Sequence, residues 1–224
     1  MGDVSAAYRE CRARIVDLTS KLDEHTASTP VPACPGWSVH DVVAHVSGVV
    51  DDVLNGRLDG IATGPWTAAQ VEARRSRPIG DMLAEWEAGA PLFEPLLDGD
   101  EMRGPQAVAD IVTHEHDIRA ALGTPGARDS SGVHIALGFV ASAFVGVAAA
   151  RGATARVRTT DGEEFGATDA SVVLSGEPFE LLRAMTGRRS VDQLRALRWE
   201  GDVDSALPAF TFGPFAPAAS RIEE

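Results

Sequence analysis

Three residues within PQAVADIVTHEHDIRAALG, residues 105–123, have the types and spacing to do chemistry. Asp110, His114 and Asp117 stand at i, i+4 and i+7, which sets them on one face of a helix. A carboxylate and an imidazole one turn apart can offer two ligands to one divalent metal. The same pair also reads as a solvated surface contact worth about 0.2–0.5 kcal/mol. Val108, Ile111, Ile118 and Leu122 form a second, apolar line suited to a core. Pro105 suits a first helical position, and Gly123 followed by Pro125 is a stop signal.

The elements that must position this helix follow from periodicity. Residues 3–24 carry Val4, Tyr8, Cys11, Ile15, Leu18 and Leu22 at alternating steps of four and three, a stripe suited to a helix bundle. TPVPACPGW, residues 29–37, predicts a stiff, ordered connection without regular structure. Ser38 and Asp41 read as a capping box opening a helix from Val39 to about Leu54. His45 lies at the edge of that helix's valine face and, taken alone, reads as a satisfied core histidine. A short helix is expected from Thr67 through Arg75. Pro78 then opens one using Ile79, Met82, Leu83, Trp86, Leu92, Phe93 and Leu96, with a kink or break near residue 90 at Gly89 and Pro91. On the 105–123 helix, Glu115 and His116 point away from the Asp110–His114 line and are expected at the surface.

TPGARDSSG, residues 124–132, marks the boundary between two parts, 1–128 and 129–224. A small-residue helix over 133–150 is followed by a change of period from 3.6 to 2. ARVRTTDGEEFGA reads as a β-hairpin turning at Asp161-Gly162. A strand at 170–176, a helix from Pro178 to Met185 ended by Gly187, a short helix near Val191–Leu194 and a strand near 197–200 complete the reading. The fold class is α+β: an N-terminal helical bundle, then a small α+β domain.

Composition narrows the function. With 224 residues, 44% hydrophobic and 24% charged, the chain is of ordinary globular type. A net charge of −13 without a basic run argues against a nucleic-acid partner. The apolar run 133–150 is broken by His134, Gly138, Ser142 and Gly146, so a buried helix is expected rather than a membrane span. Two cysteines, Cys11 and Cys34, form no framework and fit a reducing cytoplasm. Packing is the expected role of both.

CPGWSVHDVVAHVSG together with DIVTHEHDIRAALG resembles the mycothiol-dependent maleylpyruvate isomerase family, a branch of the DinB-like metal-binding helix bundles. VEARRSRPIGDMLAEWEA resembles that family's middle helices, and VRTTDGEEF…VVLSGEPFELLRAMTGRRS its small sterol-carrier-like C-terminal domain. The resemblance implies a four-helix bundle in which His45, Asp110 and His114 ligate a divalent metal, zinc first among the candidates. Glutamate is usual where Asp110 stands, one methylene longer. Asp117 matches a trailing aspartate and is expected to orient a ligand or to cap the neighbouring helix. The resemblance also implies mycothiol, the low-molecular-weight thiol of actinobacteria, as cosubstrate for attack on a small electrophile. Isomerisation of maleylpyruvate and thiol S-transfer are the reactions expected. Arg183, Arg188 and Arg189 are candidates for binding a dicarboxylate, or else solvated charges at a helix end. Two other readings stand beside the enzyme: a non-catalytic binding or regulatory protein on the same scaffold, and a metal-dependent hydrolase.

Overall fold

The computed structural model describes residues 3–224. The chain divides into two compact units, the first ending at Gly126 and the second spanning Ala127–Glu223.

The first unit is helical: α1 (Val4–Thr19), α2 (Glu24–Ala27), α3 (Val39–Leu54), α4 (Gly64–Arg74), α5 (Ile79–Leu97) and α6 (Arg103–Leu122). The long stripe expected over 3–24 is split, because Asp23 caps a separate turn by accepting from the Thr26 N–H. Val4, Tyr8, Cys11 and Ile15 are buried on α1 as the stripe predicts. The Ser38–Asp41 capping box opens α3. At the far end of α6, Gly123 takes a left-handed φ of 63°, which an L side chain adopts only with strain. Pro105 lies two residues inside α6, whose helical geometry begins at Arg103.

Three further expectations for the bundle are corrected. α4 starts at Gly64 rather than Thr67, so Trp66 and Thr67 sit in its first turn. α5 runs unbroken through Gly89, Pro91 and Pro95. Gly89 marks a helix crossing: a Cβ there would meet Val50 Cγ1 of α3 at 3.0 Å. Pro91 and Pro95 face solvent, where water can satisfy the carbonyls their rings leave without an N–H partner. Leu92 and Leu96 share that outer side and are exposed, not core.

The third correction concerns α6. Glu115 and His116 are buried, as is every residue from Ile111 to Ile118. α6 packs against α1, α3 and α5, so its side away from the acid–histidine line meets another helix instead of water. Glu115 is fully buried and clamped there. Arg14 of α1 donates to both of its oxygens at 2.8 Å, Arg119 donates at 2.8 Å, and the Cys11 thiol donates at 3.0 Å. Burial opposes ionisation of this carboxyl, but the hydrogen bonds from Arg14, Cys11 and Arg119 outweigh it and hold its pKa below the ordinary range. The same burial, with Glu115 beside it, pushes the Cys11 thiol far up, so Cys11 is an inert packing residue.

The second unit holds α7 (Ser131–Ala150), β1 (Ala155–Thr159), β2 (Glu164–Gly166), β3 (Val172–Gly176), α8 (Pro178–Met185), α9 (Val191–Arg195), β4 (Arg198–Glu200) and α10 (Val203–Ala206). The sheet runs β2-β1-β3-β4, with β1 parallel to β3 and the outer pairs antiparallel. Val157 lies opposite both Phe165 and Leu174, and Leu174 opposite Trp199. Among the described residues α7 is the one helix long and apolar enough to cross a membrane. Its Val133, Leu137, Val140, Ala141, Phe144 and Ala148 are instead buried, recurring every three or four residues as on a core-facing helix. Phe210 ends a 3-10 helix over Leu207–Phe210 and is fully buried, its ring 4.8 Å from that of Phe144.

Replacing Glu115 by glutamine leaves two arginines facing an uncharged group. We expect a loss of about 3 kcal/mol in urea unfolding at pH 7. Because the folded pKa is depressed, this contribution is complete above the unfolded value of about 4.3 and disappears as pH falls through the folded pKa. The gap between wild type and Glu115→Gln should therefore close on acidification.

Candidate metal centre

The loop before α3 is built from two consecutive turns. The Cys34 N–H donates to the Val31 carbonyl at 3.0 Å, and the Trp37 N–H to the Cys34 carbonyl at 2.9 Å. Each turn has a proline at its second position, Pro32 and Pro35, where a fixed φ suits the turn. Gly36, at the third position of the second turn, has φ of 85°, the value a type II turn requires there. The turns deliver Trp37 to the histidines, its ring 5.5 Å from that of His45 and stacked 6.1 Å from that of His114.

α3 and α6 bring His45, Asp110 and His114 together, as the sequence resemblance implies. His45 Nε2 lies 3.4 Å and His114 Nε2 3.7 Å from Asp110 Oδ1, and one ligand atom from each residue lies within 4.8 Å of the others. The two imidazoles meet edge to face at 5.0 Å. A tetrahedral ion with ligands at about 2.0–2.1 Å needs them about 3.4 Å apart, and the two separations from Asp110 are close to that value. The histidines are nearly enclosed, whereas the Asp110 side chain is 38% exposed. The site is thus buried on the imidazole side and open on the carboxylate side.

Asp117 is fully enclosed one turn further along α6. Its Oδ2 accepts from His114 Nδ1 at 3.1 Å and from the Cys34 thiol at 3.3 Å. The hydrogen on Nδ1 leaves the Nε2 lone pair of His114 directed at Asp110. Burial pushes the His114 pKa down, against the pull of Asp117 and Asp110, which favours the neutral, ligating form.

Two residues of this centre were not anticipated. Gln70 of α4 is buried with Oε1 2.7 Å from His45 Nδ1, and its Nε2 donates to buried Asp52 at 2.7 Å. Arg57 closes the chain, donating through Nε to Asp52 at 2.7 Å. Neither Gln70 nor Asp52 forms part of a motif; the available signal was a glutamine on the buried side of a short helix, beside Val71. Gly48, three residues past His45, lets α4 come close: a Cβ there would meet Gln70 Cβ at 2.8 Å and Arg74 Nη1 at 3.0 Å.

Arg183 and Arg188 belong to the second unit, on α8 and just beyond it. The reading of these arginines as solvated charges is corrected: Arg183 is fully buried, and Arg188 and Arg189 nearly so. Arg189 grips both oxygens of Glu180 at 2.6 and 2.7 Å, and Arg188 donates to the Thr186 carbonyl at 2.5 Å. His134, Asp161 and Glu163 also gather in this unit, half-exposed and at ion-pair distances of 3.3 and 3.7 Å.

Fold and site define a class: a helical unit holding a two-histidine, one-carboxylate cluster, followed by a small mixed-sheet unit. The family described as the mycothiol maleylpyruvate isomerase N-terminal domain matches residues 8–122, just over half of the chain. The chain belongs to this family. Two solved structures share the fold at 11% identity, each covering 84% of this chain and 90% of the other. One is a histidine-to-alanine mutant of the mycothiol-dependent maleylpyruvate isomerase, at a TM-score of 0.58. The other, at 0.54, is described as that isomerase without mention of a mutation. No curated protein matches the chain.

Gly48→Ala forces α3 and α4 apart. We expect a loss of about 1–3 kcal/mol, read as a lower urea midpoint with an unchanged slope.

Proposed function

We propose that this protein is a metal-dependent enzyme that activates a low-molecular-weight thiol, mycothiol, for attack on a small electrophile. Maleylpyruvate isomerisation is the reaction favoured by family membership, and thiol S-transfer is its close alternative. The observation that carries the reading is the convergence of His45 Nε2, Asp110 Oδ1 and His114 Nε2 with the carboxylate side open. His45, Asp110 and His114 would hold the metal, with zinc first among the several divalent ions that suit such ligands. Asp110 is shorter than the usual glutamate, yet its oxygen already lies 3.4 and 3.7 Å from the ring nitrogens, which supports retention of the site.

A bound zinc ion supplies the positive charge that keeps a thiol ionised at neutral pH. The chain's own residues do the rest. Burial favours the neutral form of His114, Asp117 fixes its ring, and Trp37 flanks both imidazoles. In the isomerisation, the thiolate sulfur adds to one alkene carbon and the π electrons move into the conjugated carbonyl. Rotation about the resulting single bond and expulsion of the thiolate return the alkene in the trans form, with no net gain or loss of atoms. The two free cysteines fit a cytoplasmic setting.

The hydrolase reading would need a base at the open side. Asp117 faces Nδ1 of His114, the nitrogen remote from Asp110, which favours a positioning role over a basic one.

Protein purified without chelator or affinity tag should contain about one zinc per chain, lost in His45→Ala and His114→Ala, and should convert maleylpyruvate only with mycothiol present. A wild-type protein that neither contains zinc nor takes it up overturns the catalytic reading and leaves a binding scaffold.

A further inference from the structure

The Asp52–Gln70–His45 chain decides which nitrogen of His45 carries its hydrogen. Asp52, ion-paired to Arg57, accepts hydrogen bonds and cannot donate them. The Gln70 amide nitrogen must therefore be the end that faces Asp52 Oδ2, 2.7 Å away; the flipped amide would set two acceptors against each other. With its nitrogen committed, Gln70 turns Oε1 to His45 Nδ1 at 2.7 Å, and a carbonyl oxygen at that distance demands a hydrogen on Nδ1. In neutral imidazole the lone pair then falls on Nε2, the nitrogen that faces Asp110 Oδ1.

We infer that Gln70 is the positioning residue of the metal centre: its amide, locked by Asp52, holds His45 as the Nδ1–H tautomer with Nε2 presented to the ion. The inference rests on the metal reading above for its purpose, though not for its geometry. It also gives the two histidines a common logic. His114 is set by a carboxylate, Asp117, and His45 by an amide that relays a carboxylate's demand from one residue further away. An amide acceptor adds no second negative charge beside a ring already flanked by Asp110. Gly48 belongs to the device, since its missing side chain lets the Gln70 stem reach α3.

The test uses the full chain, first without metal. Ring-nitrogen NMR of the wild type, recorded on the alkaline side of the ring's titration so that it is neutral, should show His45, identified by its loss in His45→Gln, with a protonated Nδ1 and a pyridine-like Nε2. Gln70→Leu should give a mixture of tautomers, and zinc affinity measured against a chromophoric chelator should fall about 10–100-fold. Gln70→Leu leaves Asp52 with fewer donors and could misfold, so the decisive variant exchanges the groups. In Gln70→Glu with Asp52→Asn, a carboxylate accepts from His45 and an amide donates to it, so the chain survives reversed. This double variant should restore the single tautomer and bring zinc affinity to within a few-fold of wild type. An Nε2–H tautomer in the wild type overturns the inference, as does a folded Gln70→Leu with unchanged tautomer and affinity, or a folded double variant without rescue. The tautomer is read without metal, so a protein that binds no zinc would sink the metal reading while the spectrum still decides this one.

Discussion

An imidazole has two nitrogens, and a buried histidine must account for both. That constraint shapes the first unit of this protein. His45 and His114 come from different helices and meet nearly at right angles, each with one nitrogen near Asp110. If the cluster holds a metal as proposed, the other nitrogen of each ring needs a fixed acceptor, so that a lone pair and not a hydrogen faces the ion. Asp117 serves one ring from the same helix, whereas Gln70 serves the other from a helix that has to be brought alongside. The close approach of α4 at Gly48 and the Asp52–Arg57 pair serve that same end.

α6 carries a related burden on its opposite side. The helix that offers Asp110 and His114 is enclosed along two full turns, from Ile111 to Ile118, so the charge of Glu115 had to be met within the protein. Glu115 meets Arg14, Arg119 and Cys11 and thereby fixes α6 against α1. Ligand face and clamp face share one rigid rod, and the register of the first follows from the grip on the second.

Much of this was legible from the chain, and the exceptions have physical causes. The Ser38–Asp41 box, the Gly123 stop and the Asp161-Gly162 hairpin rest on local rules that tertiary context did not override. The acid–histidine line on α6 followed from helical period alone. His45 did not; its place in the cluster was implied by the resemblance of the segment around it. Glu115 and His116 were misjudged because polarity and helix face predict exposure only where one side of a helix meets water, and α6 is surrounded. Leu92 and Leu96 erred the other way, being apolar residues on the outer side of α5 beside Pro91 and Pro95. Gln70 and Asp52 stayed hidden because their partners are fixed by how three segments converge, which no short-range pattern encodes.

The paired turns at residues 31–37 have a kinetic implication. Pro32 and Pro35 restrict the unfolded chain before any contact forms, and Gly36 accepts the one angle that other residues resist. Most of the ordering of the Trp37 segment is thus complete on folding. The Trp37 ring, set beside those of His45 and His114, then needs no separate loop-closing step to reach them.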